Sequence, residues 1–306
     1  MIEMHGSELV RRLFHKRDLL MNGDPAHGNI RTMLIIMSGG MRGASGGGAA
    51  IGLHHLGLSD VFDTVLGVST GAPTAAYFLG GLAHARTGFE VYCEAAQRLI
   101  HPFQRPMFDV DGLEEILRSG EKGINVEAIK KSRSQLYVMV TDRENAGYDC
   151  IDTQLPYVDV VTAIKASLAM PGRLYGKPVF INGVAYVAGG VAFPLPHAWI
   201  KGRRPTDLLI IANRGYGLLS RVRTRCADEL GSRLLMHGEP YCIREALRLR
   251  TRRMYPVLTE LRQMPLHLGI IWSDDSLNFL TRDVDELRAA ERHAREETID
   301  FFMRSR

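Results

Sequence analysis

The sequence predicts an α/β fold with a mostly parallel central sheet flanked by helices. Two short apolar runs, TMLIIMSGG (32–40) and VFDTVLGVS (61–69), end in or beside glycines and are short enough to be buried strands. Each is followed at once by a segment of small residues at helical length, ASGGGAAIGLHHLGL (44–58) and TGAPTAAYFLGGLAH (70–84). Strand, tight turn and helix in repetition are the signature of parallel strands with crossover helices.

The remaining elements follow in order. Residues 1–30 read as polar and irregular, with one short helix at 7–17, and are set apart as an N-terminal extension. The glycines of 44–58 cost helix propensity, so they are expected to permit close packing against the sheet. QLYVMVTD (135–142) and AGYDCID (146–152) read as strands, joined as a hairpin. VDVVTAIKASLAM (158–170) is a helix stopped by Pro171-Gly172. PVFI (178–181) and VAYV (184–187) flank Asn182-Gly183, a hairpin turn signal. DLLIIANR (207–214) and LHLGIIWS (266–273) are further core strands. The tail 283–303 carries Val284, Leu287, Ala294, Thr298 and Phe301 at helical spacing, which predicts an amphipathic helix. With no repeat or low-complexity linker, residues 31–306 are read as one domain, with a motif core at 32–212 and helical and strand elements at 213–306.

Composition narrows the class. The 306 residues are 45% hydrophobic and 24% charged, ordinary for a globular chain. No apolar stretch approaches the ~20 residues of a membrane span, and the N-terminus lacks the pattern of a Sec signal peptide. Cys93, Cys150, Cys226 and Cys242 are scattered without metal-site spacing, so reduced thiols, a cytoplasmic location and no metal are expected. Net charge is +4, yet residues 201–253 hold thirteen Lys/Arg against five Asp/Glu, a local +8. Arg244, Arg248 and Arg252 repeat every four residues. Such a stripe is either a solvated helix face or a contact for an anionic membrane surface, to which the protein would bind peripherally. Nucleic acid is disfavoured, because no recognition motif accompanies the charge. Nothing in the sequence fixes an oligomeric state.

Two motifs carry chemistry. GVSTG (67–71) is a G-x-S-x-G between a strand and a helix, the setting that exposes a serine on a strained turn. Ser69 is the candidate nucleophile; Gly67 and Gly71 leave room for the neighbouring strand and helix, and the helix N-terminus favours developing negative charge. SGGMRG (38–43) is a second strand-to-helix turn whose N–H groups, from Gly39, Gly40, Met41, Arg42 and Gly43, could converge on one anion. Beside a nucleophilic serine this would be an oxyanion hole. A phosphate loop is the alternative, but GK[ST] is missing and G-x-G-x-x-G is not matched. Arg42 would brace the loop or meet an anionic substrate. None of the eleven histidines, including His54, His55 and His197, stands where a Ser-Asp-His order would put it. In YVAGGVAFPLP (186–196), Gly189 and Gly190 prepare a close backbone approach, while Ala188 before them supplies no chemistry.

These three segments in this order, with ASLAMPGRLYGKPVFINGVAYV (166–187) leading into the third, resemble the bacterial branch of the patatin-like phospholipases. The resemblance covers about residues 32–196 and is weak in the C-terminal third. It implies a three-layer α/β/α fold and a serine acyl hydrolase acting on lipid or small acyl esters through a Ser-Asp dyad and an acyl-enzyme, with no cofactor. Ser69 would be the nucleophile and residues 39–43 the oxyanion loop, Ser38 standing where the family often has a glycine. The family's aspartate falls on Ala188. Because Ser69 and both glycine motifs are intact, a deliberate Asp→Ala change at this position is favoured over a natural pseudoenzyme, and the chain as it stands is expected to be nearly inactive. A lipid- or ligand-binding module, or an acyltransferase to a non-lipid acceptor, is the alternative. Acyl chain, headgroup and acceptor are not fixed.

Overall fold

The structure, a computed structural model, describes residues 4–215, 218–273 and 277–306. From the N-terminus the elements are β1 (Met4–His5), α1 (Ser7–Met21), β2 (Thr32–Ile36), α2 (Gly43–His55), β3 (Thr64–Val68), α3 (Gly71–Leu79) and α4 (Leu82–Arg98). Next come α5 (Val110–Arg118), α6 (Val126–Lys131), β4 (Gln135–Asp142), β5 (Tyr148–Asp152), α7 (Val160–Leu168), β6 (Val179–Ile181) and β7 (Val184–Ala188). The chain continues with α8 (His197–Arg203), β8 (Asp207–Ala212), α9 (Leu218–Leu234), α10 (Tyr241–Gln263), β9 (His267–Trp272) and α11 (Val284–Ser305).

One sheet runs β1-β9-β8-β2-β3-β4-β7-β6, with β5 also paired to β4. β9, β8, β2, β3 and β4 are mutually parallel; β1, β5, β6 and β7 pair antiparallel. Side chains alternate across the central strands, as the pleat requires. Leu34 and Ile36 face a core shared with α1, α2 and α3, whereas Met33, Ile35 and Met37 face a second core with Ile200 of α8 and Met254, Leu258 and Leu261 of α10. Helices therefore cover both faces, a three-layer α/β/α arrangement, and this is why the parallel strands are apolar along their whole length.

The expected elements formed, with physically instructive departures. The helix read at 70–84 is two helices, because the chain breaks at Gly80-Gly81, where Gly81 has φ 94°. The helix at 7–17 extends to Met21, and Leu9, Leu13 and Phe14 of this supposedly polar stretch lie in the main core. The glycines of α2 serve helix–helix packing besides the sheet: a Cβ on Gly48 would fall 2.1 Å from the Glu291 carbonyl of α11. In α11 the buried aromatic is Phe302, with Phe301 only partly covered. No helix among the described residues is long and apolar enough to cross a membrane.

Two cations of α1 clamp the N-terminal ends of the parallel strands. Arg12 meets the fully buried Asp207 at the start of β8 through two bonds, of 2.6 and 2.9 Å. Lys16, fully buried, donates to Thr32 Oγ1 at 2.8 Å and to Asp63 at 2.6 Å. Burial pushes the Lys16 ammonium below its ordinary range, and the Asp63 carboxylate opposes that shift. The two partners are unequal: Asp63 is 37% exposed and keeps Arg133 at 3.1 Å, whereas Lys16 has no solvent to fall back on. Asp63→Asn, which strands a buried charge, should therefore cost about 3 kcal/mol. Lys16→Met should cost well under half of that. Equilibrium denaturation of both variants checks the asymmetry; equal losses would contradict it.

Candidate active site

The functional candidates gather at the opposite, C-terminal ends of the strands, where parallel α/β sheets place their ligands. Ser69 follows β3 directly and has φ 53°, a left-handed conformation that costs a non-glycine residue of order 1 kcal/mol. The turn into α3 is tight enough that its flanking positions exclude a side chain. A Cβ on Gly67 would lie 2.4 Å from Ala72 Cα, and one on Gly71 would lie 2.1 Å from the Ile36 carbonyl of β2. The Ser69 N–H donates to Ser167 Oγ at 2.8 Å, and the Ser167 hydroxyl donates in turn to the Met139 carbonyl at 2.6 Å. Ser167, fully buried on α7, thus ties the strained residue to β4.

The glycine loop after β2 is a short 3-10 turn, Gly40–Arg42, entered through Gly40 at φ 59°. Its N–H groups do not all aim at one point. The Gly39 N–H donates to Thr70 Oγ1 at 3.2 Å, the Met41 N–H to the Phe279 carbonyl at 3.0 Å, and the Gly43 N–H back to the carbonyls of Gly40 and Met41. The Gly40 N–H meets no acceptor among the described residues, and Gly40 lines the same small cavity, about 40 Å³, as Ser69, Thr70 and Phe279. The Arg42 side chain leaves this cavity and lines a larger neighbouring one.

Position 188 reaches the elbow because of how β4 is shared. A strand has two edges. β5 occupies one along Tyr137–Thr141, so β3, paired to Gln135–Met139, and β7, paired to Val140–Asp142, must meet end to end on the other. Val68 stands opposite Met139 and Ala188 opposite Val140, adjacent positions of β4. The backbone then passes so close that a Cβ on Gly189 would lie 2.0 Å from the Met139 carbonyl and 3.2 Å from Ser167 Oγ, while one on Gly190 would lie 2.9 Å from Ser38 Oγ. Gly189 N–H donates to the Ser167 carbonyl at 3.2 Å, and Thr141 Oγ1 donates to the Ala188 carbonyl at 3.0 Å. Ala188 itself is fully buried in an apolar cluster with Leu174, Val187, Val191, Met236 and Leu247.

A sequence model of the patatin-like phospholipases matches residues 34–199, more than half of the 306. The chain belongs to the patatin-like phospholipase family. No curated protein matches it. Among solved structures it is similar to VipD from Legionella pneumophila, with 11% identity, a TM-score of 0.42, and coverage of 89% of this chain and 67% of that one. It is also similar to a chain in the complex of SpcU with ExoU from Pseudomonas aeruginosa, with 14% identity, a TM-score of 0.32, and coverage of 89% and 60%. The patatin-like chain therefore spans under two thirds of that second protein.

No histidine among the described residues lines the patatin-like Ser69 cavity. His54 Nε2 lies 2.9 Å from the Phe78 carbonyl, and His197 lies at 4.0 Å from Glu260, on other parts of the surface. No group of three or more His, Cys, Asp or Glu among the described residues is placed to hold a metal. The basic stripe divides: Arg244 and Arg252 are exposed, but Arg248 pairs with Glu245 and Glu229. Three site residues escaped the sequence reading: Ser167, Phe279 and Arg250. Of these only Arg250 left a signal, a charge lying among the buried Ala246, Leu247, Thr251 and Met254 of α10.

Ser167→Ala removes the acceptor of one buried N–H and the donor to one buried carbonyl. It should lower stability by about 1–3 kcal/mol, read by chemical denaturation; a change below 0.5 kcal/mol would mean that water or a neighbour replaces the hydroxyl.

Proposed function

We propose that the parent activity of this chain is hydrolysis of an acyl ester by Ser69, with position 188 as the seat of the general base, and that Ala188 leaves the machinery assembled but nearly inactive. The observation that carries this reading is the end-to-end meeting of β3 and β7 on one edge of β4, which brings the residue after Val68 and the residue before Gly189 together. The strained Ser69 and the N-terminus of α3 behind it support the same reading.

In the proposed reaction the Ser69 hydroxyl attacks the ester carbonyl carbon and its proton passes to a carboxylate at position 188. The Gly40 N–H is the free donor on hand for the oxyanion. Collapse of the tetrahedral intermediate releases the alcohol, which takes the proton back, and leaves an acyl-serine. Water, giving a proton to the same carboxylate, attacks the acyl-serine; collapse of this second intermediate releases the acid, and Ser69 takes the proton back from position 188. With Ala188 the first proton has no acceptor, and loss of a general base costs about 10²–10⁴-fold in rate.

Ala188→Asp should therefore create esterase activity on p-nitrophenyl acyl esters and labelling by a fluorophosphonate, and adding Ser69→Ala should remove both. The new carboxyl enters an apolar cluster, and burial favours its neutral form. Its pKa is thus expected above the ordinary aspartate range, and since only the ionised form accepts a proton, the rate should rise with pH through that raised pKa. The variant should also melt no higher than the parent, because the carboxylate is desolvated. A folded Ala188→Asp protein inert on short and long esters would shift the reading to a binding module that uses the same pocket.

Membrane contact is the companion proposal, supported by the exposed Arg244 and Arg252. Binding to anionic liposomes should fall with salt and with Arg244→Glu plus Arg252→Glu. Equal binding to neutral liposomes at low salt would remove the role of charge.

A further inference from the structure

The attacking oxygen and the donor for the oxyanion come from different turns. Pairing of β2 with β3 ends at Ile36 opposite Gly67, so Ser69 lies two residues beyond the paired ladder and Gly40 four. The ladder therefore stops short of both. Yet an oxyanion donor acts only within about 2.7–3.1 Å of the oxygen it stabilises. Some further group has to hold one turn at a set distance from the other.

Thr70, the residue after Ser69, meets the glycine loop at both of its ends. At the entry, Thr70 Oγ1 accepts the Gly39 N–H at 3.2 Å. At the exit the link runs through Tyr92 of α4, whose hydroxyl donates to the Thr70 carbonyl at 2.6 Å. The same hydroxyl fills the space beside Gly43, where a Cβ would collide with Tyr92 Oη. Thr74 Oγ1 lies 3.1 Å from both the Thr70 carbonyl and Tyr92 Oη and completes the network. Tyr92 is buried in a cluster with Met41, Ala44 and Phe89. Burial pushes its phenol up to about 12, against the hydrogen bonds to Thr74 and Thr70, so it stays a donor throughout the neutral range. The chain break at Gly80-Gly81 is what brings it here, because α4 then packs against both α2 and α3.

We propose that Thr70 and Tyr92 are positioning residues that set the distance between Ser69 and the Gly40 N–H by clamping both ends of the glycine loop to the residue beside the nucleophile. A displacement of about 1 Å between reacting groups can cost a hundredfold in rate, so a clamp of this kind acts on turnover while touching no substrate atom. It rests on the hydrolase reading for its kinetics alone; the spacing of the two turns belongs to the chain as it stands, with Ala188.

Two measurements test the clamp, one of them independent of turnover. In the Ala188→Asp background, Thr70→Val keeps the side-chain shape and removes the acceptor, and Tyr92→Phe removes the donor. Each should lower kcat on a p-nitrophenyl ester by roughly 10–100-fold, less than deleting an oxyanion donor outright, and leave KM unchanged. Thr70→Ser, which returns the hydroxyl, should restore most of kcat. A residue that served stability alone would show neither the split nor the rescue at a temperature where every variant is folded. In the chain with Ala188, residue-resolved amide exchange at Met41 and Gly43 should quicken about tenfold or more in Thr70→Val and in Tyr92→Phe. Those two amides bond to Phe279 and within the loop, not to Thr70, so they report the loop as a whole. Faster exchange at Gly39 alone, an unchanged kcat, a loss confined to KM, or no rescue by Thr70→Ser would each overturn the proposal. If Ala188→Asp folds and hydrolyses nothing, the hydrolase reading has failed, and exchange at Met41 and Gly43 decides the clamp by itself.

Discussion

The two edges of β4 are the constraint on which the site depends. Backbone hydrogen bonding lets one strand serve two neighbours, and here three strands claim it. β5 takes one edge, so β3 and β7 must end where they meet on the other. Each chain has to turn sharply away at that junction: one at Ser69 in a left-handed conformation, the other at Gly189, where the Met139 carbonyl leaves no volume for a side chain. Ser167 fits the gap between the diverging chains and bonds to both. The local oddities of the site are therefore one packing problem solved at three places.

The sheet is also polarised along its strands. At the N-terminal ends Arg12 and Lys16 are spent on the carboxylates of Asp207 and Asp63, which fixes α1 against the strands. At the C-terminal ends Arg42, Arg214 and Arg250 cluster with the single described carboxylate of Asp228. The cations at the first end are paired with carboxylates; at the other end Arg250 is paired with Asp228, and burial with repulsion from Arg250 lowers the pKa of Arg214.

What was legible in the sequence follows from how narrowly geometry restricts each letter. Gly67, Gly71 and Gly189 sit where a Cβ would collide with backbone, so the glycine motifs were readable and the strand–turn–helix order with them. The hairpin at Asn182-Gly183 was readable for a related reason: both residues have positive φ, 51° and 82°. Ser167 was opaque because a buried hydroxyl leaves no pattern on a helix of small residues. Phe279 was opaque because its bond to Met41 spans most of the chain. The arginine-rich helices misled by composition: the periodicity of Arg244, Arg248 and Arg252 marks the outer face, while Arg250, which faces inward, disappears into the same charge run. The split of 70–84 into α3 and α4 was lost because alanine and glycine read alike on either side of the break. The blank at Ala188 was visible, but its apolar surroundings, drawn from distant segments such as Leu174, Met236 and Leu247, were not.

The order of strands has one more consequence. The family-matched segment ends at residue 199, yet its first strand, β2, lies between β3 and β8, and β8 begins only at Asp207. A fragment cut at that boundary would lose β8, β9 and the helix that covers one face of the sheet. β2 would become a bare edge of unpaired N–H and C=O groups beside exposed Met33, Ile35 and Met37, which is a template for aggregation. The segment that carries the family's signature is thus not a unit of folding. The C-terminal third, where the resemblance is weakest, supplies the strand that pairs with β2 and the helix that covers Met33, Ile35 and Met37.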